Sequence, residues 1–111
     1  MKDKILELLS QLETFSEFQN TTYLITETFR VNGERTYKLT NLKGEIEKGV
    51  VYFSDENYKI YEYKFNVLMA FRINSVIDIK QSWEQNKDWT CIIKFKDGSI
   101  KITRINPNIH N

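Results

Sequence analysis

The chain has 111 residues, 41% of them hydrophobic, 14% aromatic and 28% charged, with a formal net charge of +1. That length suits one domain with its own core, and the aromatic content excludes a disordered chain. The near-neutral balance excludes a global field that would announce nucleic acid or a cation store.

The amino-terminal stretch "MKDKILELLSQLETF" repeats apolar residues at Ile5, Leu8, Leu9, Leu12 and Phe15, in steps of three and four. This spacing predicts an amphipathic helix over about residues 3–18, with Asp3 at the positive end of its dipole. Charge breaks it up too often for a signal-peptide core, and no apolar run approaches the ~20 residues that span a bilayer, so no membrane partner is expected. The apolar stripe should pack on the body of the domain, with a dimer or partner helix as the alternative.

From about residue 22 to 105 the chain reads as a β-meander. "TYLITETFRV" and "ERTYKL" flank Asn32-Gly33, a strong hairpin signal because both residues tolerate positive φ. A two-residue loop opposes Glu27 with Lys38 and Arg30 with Arg35. A bulged three-residue loop opposes Phe29 with Tyr37, and is favoured because it pairs aromatics and separates the arginines. Lys43-Gly44 reads as the next turn, followed by "EIEKGVVYFS", a turn at Asp55-Glu56-Asn57, and "YKIYEYKF". Val50 and Tyr52 fall on one face and Val51 and Phe53 on the other, so this pair is covered on both sides or enters an interface. Gly49 inside the run marks a bulge or a bend. "NVLMAFRI" and "VIDIKQSW" follow as strands, the second because its β-branched residues outweigh the helical spacing of Val76, Ile79 and Trp83.

In "KFKDGSIK", a two-residue turn at Asp97-Gly98 opposes Phe95 with Ile100, Ile93 with Ile102 and Cys91 with Arg104 on the core side, where Trp89 also falls. The outer side then has Lys94 facing Lys101. "NPNIHN", residues 106–111, reads as a loose tail.

The sum is a single α+β domain over residues 1–111: an N-terminal amphipathic helix followed by a mostly antiparallel seven- to eight-stranded bent sheet or small barrel. "GEIEKGVVYFSDENYKIYEY" and the following "FRINSVIDI", behind an N-terminal helix, resemble the glycine-centred bent strand and next short strand of Sm-like barrels. The resemblance covers less than half the chain and implies a bent small barrel, with no function attached. Isoleucine, lysine and asparagine are abundant and alanine occurs once, at Ala70, a bias that fits AT-rich coding in a low-GC bacterium or its phage.

Residues for catalysis are scarce. The single histidine, His110, lies next to the end of the chain, where ordering is least expected. The single cysteine, Cys91, excludes an internal disulfide, fits a cytoplasmic location, and as a mid-strand core thiol should be inert. Asp55, Asp88 and Asp97 sit in separate turns, Glu45 with Glu47 lacks a third ligand, and the four glycines form no phosphate loop. No enzyme activity, metal or cofactor is expected.

Two surfaces could bind a partner. In "SWEQNKDW", Trp83 and Trp89 flank a polar pentapeptide, and large amphipathic rings at a loop base anchor interfaces; Tyr61 and Tyr63 share one strand face. The alternative for the tryptophans is mutual packing beneath the loop. The second surface is basic, with Lys94, Lys96 and Lys101 extended by Lys80 or Arg104. The leading expectation is a small non-enzymatic protein-binding or regulatory module whose partner is another protein, a second copy included. The alternatives are a nucleic-acid-binding module using the three lysines and a barrel that holds a small apolar ligand.

Overall fold

A computed structural model describes residues 1–17, 21–55, 67–85 and 88–105. Helix α1 (Lys2–Ser16) precedes eight strands: β1 (Thr22–Phe29), β2 (Gly33–Thr40), β3 (Lys43–Glu47), β4 (Val50–Ser54), β5 (Val67–Arg72), β6 (Val76–Trp83), β7 (Trp89–Phe95) and β8 (Gly98–Ile105). The expected helix and a mostly antiparallel set of strands are present but form no barrel; the expected strand "YKIYEYKF" lies outside the described residues, and "EIEKGVVYFS", read as one strand, is two. One sheet of five strands runs β2-β1-β8-β7-β6 and a second of three runs β3-β4-β5. The reason lies in one long-range pairing. β1 takes β2 on one side and β8 on the other, so the last hairpin docks on the first while the middle three strands form their own layer. Among the described residues β2 and β6 are left as edges of the larger sheet.

Helix and small sheet cover the same face of the large sheet. Ile5, Leu8, Leu12 and Phe15 of α1 are buried, as its periodicity predicts. They meet Tyr23 and Ile25 of β1, Cys91 and Ile93 of β7, Ile100 and Ile102 of β8, and Val51 and Phe53 of β4 in one core. A relay of rings joins the two sheets: Phe53 to Phe71 at 5.8 Å, Phe71 to Phe95 at 5.1 Å and Phe95 to Phe29 at 5.8 Å between centroids. Val50 and Tyr52, on the other face of β4, are half-buried.

The registers differ from expectation in an instructive way. In the first hairpin Phe29 faces Gly33, not Tyr37, across a loop of Arg30, Val31 and Asn32. Gly33 follows the loop at φ +71°, where a glycine closes a three-residue turn without strain. This register opposes Glu27 with Arg35, whose side chains meet at 2.9 Å, and the Arg35 guanidinium lies 4.6 Å over the Tyr37 ring. Opposite charges and a cation on an aromatic replace the expected aromatic pair.

The last hairpin turns at Lys96-Asp97, so Phe95 faces Gly98, Ile93 faces Ile100 and Cys91 faces Ile102. Trp89, not Cys91, faces Arg104, and Lys94 faces Ser99 rather than Lys101. The shift is two residues, so every side chain keeps its expected face. Gly98 is a strand residue because it opposes Phe29 of β1, and a β-carbon there would overlap the Thr28 carbonyl oxygen and the Phe29 ring and backbone.

The remaining glycines exchange roles. Lys43 and Gly44 open β3 rather than forming a turn, and Gly44 makes room for Leu9 of α1. Gly49 is no mid-strand bend: with Lys48 at φ +51° and Gly49 at φ +76°, the pair makes the tight turn between β3 and β4. That removes the feature on which the barrel resemblance centred.

Candidate functional site

β6 begins after a single 3-10 turn at Ile73–Ser75 and pairs only with β7 among the described residues. The pairing slips between Val76 and Asp78, leaving Ile77 as an extra residue that is 60% exposed. At the other end of the strand Trp83 is 59% exposed. Among the described residues β6 therefore presents a free backbone edge with a large apolar side chain at each end.

The two tryptophans are cross-strand neighbours, yet they have opposite fates. Trp89 is 1% exposed and does not serve as a surface anchor. It lies on an inner strand beneath the helix, with its indole N–H donating to Gln81 Oε1 at 3.2 Å. Trp83, on the edge strand, is covered on one side only. Phe15 holds both: its ring meets Trp89 edge-on at 5.2 Å and Trp83 at 5.9 Å, while the Arg104 guanidinium lies 4.4 Å over it. Mutual packing under the loop and surface display are thus divided between the two rings. The helical stripe identifies Phe15 as a core residue, but only the tertiary structure makes it the group that positions Trp83.

Charge along β6 is balanced. Lys4 Nζ of α1 donates to Asp78 Oδ1 at 2.7 Å, and this hydrogen bond holds the Asp78 carboxyl below the usual carboxylate range. Lys80 is exposed. Ser82 and Thr90 share a hydrogen bond between hydroxyls at 2.8 Å, tying the end of β6 to β7 below Trp83. Tyr61 and Tyr63, expected as further anchors, lie outside the described residues.

The second surface is the uncovered face of the large sheet. The registers place Lys38, Lys101 and Lys80 on it, in rows with Leu24, Thr26 and Ile92, and Lys94 joins them next to Ser99. All four lysines are exposed. Lys96 lies in the turn, and Arg104 is buried on the opposite face, so it does not extend the patch. Lys38 was not among the expected residues, because its face depends on the first hairpin's register. Among the described residues no aromatic side chain shares this face; threonine and serine make up half of it, and Glu34 and Asp78 lie on it with the lysines.

The space a barrel lumen would occupy is filled by Ile25, Val51, Phe53, Ile93 and Ile102, each fully buried. An open crevice of about 320 Å³ remains between the sheets, beside Phe29, Phe71 and Phe95. No cluster of three metal-ligating side chains occurs among the described residues, and His110 lies outside them. Among the described residues no helix is long and apolar enough to cross a membrane. Cys91 is fully buried, and desolvation pushes its thiol up to about 12. A disulfide-exchange reagent at pH 8 should therefore leave Cys91 unmodified in the native protein and titrate one thiol per chain in denaturant. Rapid labelling of native protein would contradict this burial.

Compared with known proteins, the chain matches no family model, no curated protein and no solved structure.

Proposed function

We propose that the protein is a small non-enzymatic binding module whose docking surface is the free edge of β6, with Trp83 as its anchor. The observation that carries this reading is the 59% exposure of Trp83 on a strand with no neighbour on its outer side among the described residues. An edge strand offers unpaired N–H and C=O groups to a partner's backbone, and a tryptophan beside it supplies apolar area at little entropic cost. Phe15 holds the ring from beneath, so docking need not order it from scratch.

The test compares wild type and Trp83→Ser as baits in native lysate. Because the ring is mostly exposed, the substitution should cost only about 1 kcal/mol of stability, checked by denaturant unfolding. Proteins held by wild type and lost by Trp83→Ser support the reading, whereas identical recovery by both contradicts it. A second reading, contact with nucleic acid, is favoured by the four exposed lysines on one sheet face. Against it stands the lack of stacking aromatics among them. Nuclease treatment of the lysate separates the two, since a bridge of nucleic acid would be lost in both baits alike.

A further inference from the structure

Ile77 and Trp83 lie three residues to either side of Lys80, at 60% and 59% exposure. That symmetry has a specific consequence for a strand that can pair with itself. In an antiparallel pairing of two β6 strands about a two-fold axis through Lys80, residue i faces residue 160 − i of the second copy, about 5 Å away. Trp83 then faces Ile77 of the second copy, and the reverse, so both exposed apolar groups of each strand are covered. Asp78 faces Ser82, Ile79 faces Gln81, and Lys80 faces itself, with Asp78 of the second copy on its diagonal.

We infer that the partner at this edge is a second copy of the chain, joined through β6 in this register to make a continuous ten-stranded sheet. The inference rests on the docking reading given above and names its partner. A competing axis through Ile79 would oppose Asp78 with Lys80, but it sets Trp83 against Ser75 and leaves the ring uncovered. Exposed ion pairs contribute little, whereas the apolar area buried by two tryptophan–isoleucine pairs is large, so the Lys80 axis is preferred. The slip at Ile77 and the charges of Asp78 and Lys80 are features that discourage indiscriminate edge pairing. In the Lys80-centred register only one like-charged pair remains, and it lies where water screens it.

The experiment is a dilution series of the full chain followed by sedimentation velocity, with four variants. Wild type should show a monomer–dimer equilibrium that tightens as salt rises, because salt screens the facing lysines. Trp83→Ser and Ile77→Ser should each weaken it at least tenfold, and Lys80→Ser should tighten it several-fold. Lys80→Cys should form an intermolecular disulfide on mild oxidation, since facing strand residues lie within disulfide reach, while buried Cys91 stays out of the reaction. A chain that stays monomeric at every concentration overturns the inference. So does a dimer that Lys80→Ser weakens, that Trp83→Ser leaves intact, or that Lys80→Cys fails to cross-link. Monomeric behaviour with Trp83-dependent capture from lysate would remove the second copy as partner and leave the docking reading standing; loss of both would remove both.

Discussion

Gly98→Ala is expected to destabilise the protein by about 3 kcal/mol, the upper end of what overpacking usually costs. The cause is backbone against backbone. β8 opposes Phe29 of β1 at this position, and the added methyl would overlap the Thr28 carbonyl oxygen as well as the Phe29 ring and α-carbon. A side chain could swing aside, but a carbonyl in a sheet ladder cannot move without breaking its pairing. The same corner carries the hydrogen bond from the Arg30 N–H to the Asp97 carbonyl at 2.9 Å, which ties the loop of the first hairpin to the turn of the last. Gly33→Ala is the control. Gly33 has φ +71° but nothing within 4 Å of its would-be β-carbon, so its loss should cost only the left-handed strain, about 1 kcal/mol. Denaturant unfolding of the two variants checks the ranking, and equal midpoints would contradict the close approach of β1 and β8.

Phe15→Ala should be comparably severe, at about 4 kcal/mol. The ring is 4% exposed and touches three groups at once: Trp89 below, Trp83 at the edge and the Arg104 guanidinium above. Truncation leaves a cavity at the end of α1 and strips a buried cation of its aromatic face. Phe15→Leu keeps most of the volume but loses the ring contacts, so about 1.5 kcal/mol is expected. The ratio between the two variants separates packing from ring geometry. Equal, small losses would mean that α1 does not seat on β6 and β7 as described.

Local patterns in the sequence were sufficient for the helix, the mostly antiparallel strands and the sidedness of most residues, but they ran β3 and β4 together as one strand through Gly49. The stripe from Ile5 to Phe15 is buried as its spacing requires, and the β-branched "VIDIKQSW" is a strand. Alternation also placed Cys91 and Trp89 inward and Lys94 and Lys101 outward even though their partners were misassigned, because a two-residue slip preserves face. Register was not legible, for a physical reason. The turn in "KFKDGSIK" is set by the need of β1 for a glycine opposite Phe29, a contact about 70 residues away along the chain, rather than by the turn residues themselves. The division into two sheets has the same origin, since nothing local announces that β1 will pair with β8. Of the candidate site, Trp83 was legible as a ring near a loop base. Its separation from Trp89 follows only from β6 being an edge, a property of topology.

The opposite placement of the two tryptophans, Trp83 at the surface and Trp89 in the core, is most directly tested by collisional quenching of tryptophan fluorescence down a dilution series, with light scattering at each concentration. One ring should be shielded at every concentration, and a second, removed by Trp83→Phe, should be open to the quencher in the monomer and close as a complex forms. A Trp83 that is shielded in the monomer, or one that stays open in the complex, would contradict it.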